Sequence, residues 1–183
     1  MSESSVNFDQ VRDACRGLTD SFDSVLMATV GEDGKPEASY AAYVKHEGDY
    51  YVYISELAAH TRNLSANGNV SLLFIEDESD ASHLFARQRV TFQGLAEEVE
   101  RDSEPFKQVM NLFQQKFGQF IEMLKKMEDF HLFRIHPTKG SFVQGFARAF
   151  TIQGEALNEF RHVNDTGHRS GARGSESESR PTH

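Results

Sequence analysis

The sequence predicts a mainly β protein, a small antiparallel barrel with peripheral helices. Three observations predict it. Six or so stretches are apolar or alternating and short enough for strands, and hairpin-type turn signals separate them. Helical spacing recurs in only a few places, and no succession of strand, helix and strand suggests a parallel sheet.

Residues 7–20 set Phe8, Val11, Cys15 and Leu18 at helical spacing, an amphipathic opening helix. VLMATV (25–30) is a short apolar run, followed by the dense turn signal GEDGKP. EASYAAYVKH (37–46) and YYVYIS (50–55) are rich in β-formers, and Glu47, Gly48 and Asp49 between them read as a hairpin. AAHTRNLSAN (58–67) predicts a short helix ending at Gly68, and NVSLLFIED (69–77) a buried strand.

ARQRVTFQGLAEEVE (86–100) predicts a long strand with strict alternation. Val90 and Phe92 point one way, and Arg87, Arg89 and Thr91 the other. Phe106, Val109, Met110, Phe113, Phe117, Phe120, Ile121 and Leu124 then recur three and four apart. They form one wide apolar helical face, bent or broken at Gly118, whose stripe reads as core or dimer packing. DFHLFRIHP (129–137) returns to strand and is stopped by Pro137, and FVQGFARAF (142–150) is the last strand.

These elements make one domain over residues 1–160. From 161 to 183 only Val163 and Ala172 are apolar, a polar tail that has too little to bury to offset its ordering entropy.

Composition narrows the function. Hydrophobic residues are 38% and charged residues 26% of the chain, as in globular proteins. A formal charge of −9 argues against a nucleic-acid partner, which requires clustered Lys and Arg. With no apolar leader and no run of membrane-span length, the expectation is a cytoplasmic protein without a membrane partner. The single cysteine, Cys15, reads as a small packing residue of the first helix. The spacings of a dinucleotide fingerprint, a P-loop, a zinc protease, a zinc knuckle and a serine-hydrolase elbow are all missing.

Four places carry chemistry. Arg87 and Arg89, two apart on a strand, offer two guanidinium groups to an anionic ligand, or else pair with acids such as Glu97. His60 lies in HTRN at a strand-to-helix junction, where free N–H groups favour a phosphate or carboxylate. Capping by Thr61 or Ser55 is the plainer reading of that junction. Asp129 precedes an apolar strand and shares its face with His131, Phe133 and Ile135. In the tail, HVNDTGH (162–168) holds two histidines with no packing role. A Gly/His-rich segment of this kind becomes ordered by closing over a metal or haem, and a ligating imidazole then needs an acceptor such as Asp129.

With these residues in view, the chain resembles the haem-utilisation branch (HugZ/HutZ type) of the FMN-binding split-barrel superfamily, which includes the pyridoxamine 5′-phosphate oxidases. The resemblance covers about residues 10–168. It rests on SVLMATVGEDGKPEASYAAYV, ISELAAHTRNLSANGNVSLLFIEDE, ARQRVTFQGLAEEV, DFHLFRIHPTKGSFVQGFARAF and HVNDTGH. It implies a six-stranded split barrel, a homodimer and ligand sites at the dimer interface. It implies haem where relatives hold flavin, with His168 as axial iron ligand. Asp129 then matches an acid placed against that histidine from the partner subunit. Arg89 matches a basic residue near the haem propionates, and His60 a residue near the pocket. Arg87 joins them only through its strand position, and His162 is an alternative ligand. The serine- and glutamate-rich run after His168 departs from the family pattern.

The function implied is oxidative opening of haem to a biliverdin-type product with release of iron, using electrons from an external donor. An FMN-dependent oxidoreductase and a non-catalytic haem carrier are the alternatives.

Overall fold

The computed structural model describes residues 6–163, so the reading of His168 falls outside the described residues. Helix α1 (Phe8–Asp20) begins at Asn7, whose side chain accepts from the N–H groups of Asp9 and Gln10. Strands β1 (Ser24–Val30), β2 (Pro36–His46) and β3 (Asp49–Ser55) form a meander. Helix α2 (Ala59–Ala66) leads into β4 (Asn69–Ile75), and a 3₁₀ turn (Leu84–Ala86) into β5 (Arg89–Val99). Helix α3 (Glu104–Phe117) starts with a Ser103 cap and Pro105 in its first turn. It stops at Gly118, at φ 74°, before the single turn of α4 (Phe120–Leu124), so the apolar stripe breaks where expected. Strands β6 (Phe130–Gly145), β7 (Arg148–Gln153) and β8 (Glu159–His162) complete the described chain.

Every strand pairing is antiparallel. β1, β2, β3, β6, β5 and β4 close into a six-stranded barrel through the β3–β6 pair, and β7 and β8 extend the sheet from β6. The barrel is thus as predicted, but two expectations at its C-terminal end are corrected. Residues 130–145 are one strand, so Pro137 does not stop it, and two strands follow it.

The reason lies in a bulge. Gln93 stands opposite Lys139 and Gly94 opposite Pro137, leaving Thr138 as the extra residue. A proline at a bulge escapes the ladder position where its missing N–H would matter. Gly94 is needed there, because an added Cβ would stand 2.4 Å from the His136 carbonyl oxygen.

Two cores result. Inward residues of every barrel strand, Phe74, Val90, Phe92, Phe133 and Phe142 among them, meet Val11 and Cys15 of α1. On the outer side of β2, β3 and β6, the residues Val44, Tyr51, Tyr53 and Leu132 pack against Phe106, Val109, Met110 and Phe113 of α3 and Ile121 of α4. Most of the aromatic stripe is therefore core, while Phe120 is left 60% exposed. No helix among the described residues is long and apolar enough to cross a membrane.

Candidate functional site

At one end of the barrel, β3 finishes beside the start of β6. Ser55 is paired with Phe130, and just past that rung its hydroxyl donates to Asp129 Oδ2 at 2.7 Å. The Glu56 N–H donates to the Asp129 carbonyl, and the Leu57 N–H to Ser55 Oγ at 3.1 Å. Thr61 of α2 donates its hydroxyl to the Ser55 carbonyl at 2.6 Å. Asp129 and the first turn of α2 are so tied together through one serine. The cap residue Ala58 makes no side-chain bond to the helix, and Ser55 instead caps the turn ahead of it.

His60 sits half-buried in that first turn. Burial holds its imidazole pKa below the usual value, and the nearby Glu37 carboxylate opposes the shift. One helical turn on, the Asn63 amide donates to Thr29 and Glu37, seating α2 on β1 and β2.

The other candidates lie at the far end of β5. Arg89 begins the strand, paired with Ile75 of β4 and Val143 of β6, and its side chain is half-buried. Its Nη1 donates to the Arg87 carbonyl at 3.1 Å, and no carboxylate pairs with it among the described residues. Arg87 is a different case. It precedes the strand, and its guanidinium turns back to donate twice to the Glu76 carbonyl, with Glu78 at 3.4 Å. The expected pair of guanidiniums presented together on one strand is corrected to one, because Arg87 supplies the bonds that close the β4–β5 connection. Its acidic neighbour is Glu78, not Glu97.

Arg89 stands on an uncovered sheet face. Strand alternation brings Tyr40, Leu26, Leu73 and Thr91 into one row across β2, β1, β4 and β5, next to the row holding Ile75, Arg89 and Val143. Leu26 is 45% and Tyr40 69% exposed, so four strands present a broad, partly apolar surface that the described residues leave open.

The C-terminal strand approaches this same end. Val90, Phe142, Phe150 and His162 form one row across β5 to β8, and the Val163 N–H donates to the Ala149 carbonyl in the row of Arg89. The His162 ring lies 5.0 Å from the Phe150 ring, half-buried against the core. Asp129, by contrast, lies beyond the opposite end of β5, where Val99 faces Leu132. Ten residues of strand separate the two ends, about 30 Å along its course.

Sequence reasoning passed over two charged clusters. The two ring nitrogens of His131 each meet a carboxylate, Nδ1 that of Glu98 at 2.5 Å and Nε2 that of Glu56 at 2.6 Å, and the protonated ring donates to both. The bond to Glu98, and after it that to Glu56, raises the imidazole pKa above its usual value. Asp49, buried at the start of β3, accepts from Arg134 Nε and His136 Nδ1. Each cluster joins residues more than thirty positions apart, so no local spacing announces it. Among the described residues, no group of three or more His, Cys, Asp or Glu side chains is arranged to hold a metal.

Residues 11–144 match the family model for pyridoxamine 5′-phosphate oxidase. The chain is 45% identical over 146 residues to the haem oxygenase HutZ of Vibrio cholerae, covering 80% of this chain and 82% of that protein. A crystal structure of Vibrio cholerae HutZ, described there as a haem storage protein, superposes with a TM-score of 0.63 at 40% identity, covering 70% of this chain and 88% of that one. Campylobacter jejuni ChuZ superposes with a TM-score of 0.82 at 34% identity, covering 91% of this chain and 68% of that one. A split barrel extended by two strands, matched along most of its length to these proteins, makes the chain a member of the pyridoxamine 5′-phosphate oxidase family, in the haem-utilisation branch that holds HutZ and ChuZ.

Proposed function

We propose that the protein binds haem between two copies of the chain and opens the porphyrin oxidatively, yielding a biliverdin-type product and iron. The observation that carries this is Arg89, a cation without a carboxylate partner among the described residues, set on an exposed sheet face with Leu26, Tyr40, Leu73, Ile75 and Val143. A flat ring with apolar faces and carboxylate-bearing edges suits that surface: side chains pack on the ring, and the guanidinium donates to a propionate. The 45% identity to a haem oxygenase supports the same reading.

Chain length supports the dimer. Val163 is fixed in the Arg89 row, and His168 lies five residues on, a reach of about 17 Å even when fully extended. Asp129 of the same chain is beyond the far end of β5, so an Asp129 that meets the His168 imidazole belongs to the second copy. The open face of β1, β2, β4 and β5 is the surface through which the copies join.

Each residue then has a task. His168 would hold the iron through one imidazole nitrogen, and Asp129 would accept a hydrogen bond from the other ring N–H, fixing its tautomer and raising its basicity. Arg89 orients the ligand through a propionate, and half-buried His60, held neutral by burial near neutral pH, lines the pocket. Haem supplies the iron and the conjugated ring that is opened, with O₂ as oxidant and an external donor providing electrons.

Spectra of the purified protein after addition of haem or FMN test the proposal. Haem gives an intense Soret band whose coordination changes in His168→Ala, and the band decays under air with ascorbate. A stable band under those conditions favours the carrier reading, which the description of a 40% identical neighbour as a storage protein also suits. A yellow flavin spectrum indifferent to His168→Ala favours the FMN-dependent oxidoreductase, the reading nearest to the family model.

A further inference from the structure

We infer that Ser55 is a positioning residue for this site: its hydroxyl holds the Asp129 carboxylate by Oδ2 and leaves Oδ1 as the acceptor offered to the ligating histidine. The inference rests on the proposed role of Asp129.

A serine hydroxyl has one proton and two acceptor lone pairs. At Ser55 the Leu57 N–H takes an acceptor position at 3.1 Å, and the single proton is directed to Asp129 Oδ2 at 2.7 Å. The distance is that of a well-formed O–H···O bond. No second side chain or backbone N–H reaches the Asp129 carboxylate among the described residues, so Ser55 is the one donor there that restrains it and Oδ1 keeps its acceptor capacity.

Ser55 is itself held from several sides. Its backbone is in the last rung of the β3–β6 pair, opposite Phe130. Its carbonyl accepts from the Thr61 hydroxyl and from the Ala58 N–H at 3.1 Å. The next residue, Glu56, gives its N–H to the Asp129 carbonyl and its carboxylate to His131. Both the main chain and the side chain of Asp129 are thereby fastened to residues 55 and 56, and through Thr61 to the helix that carries His60. A carboxylate that must meet an imidazole from another chain gains from being aimed before the ligand arrives, since less ordering is left to the moment of binding.

The test compares Ser55→Ala, Ser55→Thr and Asp129→Asn as ferrous haem complexes of the full chain, with the iron–histidine stretching band read by resonance Raman. A hydrogen-bonded carboxylate strengthens imidazole donation, so Asp129→Asn lowers the frequency. Ser55→Ala lowers it too, by a smaller amount, and Ser55→Thr, which keeps the hydroxyl, restores the wild-type value. Thermal unfolding of the haem-free proteins identifies a variant that fails merely by misfolding, and Ser55→Thr then carries the comparison against Ser55→Val of matched shape. A band unmoved in Ser55→Ala and Ser55→Val but moved in Asp129→Asn overturns the role of Ser55 alone. A band unmoved in Asp129→Asn overturns the role of Asp129, and that of Ser55 with it.

Discussion

Asp49 Oδ2 accepts the Nε–H of Arg134 at 2.5 Å, while its Oδ1 receives His136 Nδ1 at 2.7 Å. The carboxylate side chain is 7% exposed and its partners Arg134 and His136 45% and 63%, so the buried acceptor depends on exposed donors, and Arg134 supplies its counter-charge. Arg134→Ala leaves that carboxylate half-satisfied and lowers stability by about 1–3 kcal/mol. Replacing His136 by Ala costs less, since it leaves the guanidinium in place. Urea unfolding of the two variants measures the difference, and equal losses would show that Arg134 has no special share.

His131 gives stability a pH dependence of defined sign. Its folded pKa is raised above the unfolded value of 6.5, chiefly by Glu98 and then by Glu56. The imidazolium therefore contributes its full stabilisation below about pH 6.5 and loses it as pH rises through the folded pKa. Thermal melts of the wild type and His131→Gln differ most in mild acid and converge in alkali. Parallel curves across that range would remove the imidazolium from the account.

Cys15 is walled into the first core, and burial pushes its thiol up to about 12. Thiolate is the reactive form, so the folded protein at pH 8 resists iodoacetamide, whereas the urea-unfolded chain is alkylated at the rate of a free thiol. Mass spectrometry of timed reactions reads the contrast, and rapid alkylation of the native chain would mean that the α1 packing opens.

Arg89 and Arg87 separate binding from structure. Arg89→Ala removes a cation with no carboxylate partner among the described residues, and it weakens haem binding roughly 10- to 100-fold by loss of a charge-assisted bond, with little change in melting temperature. Arg87→Ala removes the donors that close Glu76 and Glu78 onto the strand, so it lowers the melting temperature and affects haem affinity less. Haem titration alongside thermal melts distinguishes the two, and an inverted pattern would exchange the roles.

Much of this was legible because strand alternation is local. Val90 and Phe92 inside, Arg89 outside, and the helix broken at Gly118 all follow from spacing along a few residues. The continuity of β6 through Pro137 was not, because it depends on a bulge set by Gln93 and Gly94 more than forty residues away. Arg87 looked like the twin of Arg89 for the same reason: only the fold brings the Glu76 carbonyl to it. Ser55 was legible as a cap, yet its bond to Asp129 spans 74 positions and required the β3–β6 pair to exist.

That pair has a consequence for biosynthesis. The barrel is sealed where Tyr50 meets Ile135 and Ser55 meets Phe130, so strands made early wait for one made late. Contacts of such long range slow folding, because the intervening chain must be gathered before they repay its lost entropy. On the ribosome β3 and β5, the outer strands of the first five, both lack their β6 partner until that strand clears the exit tunnel.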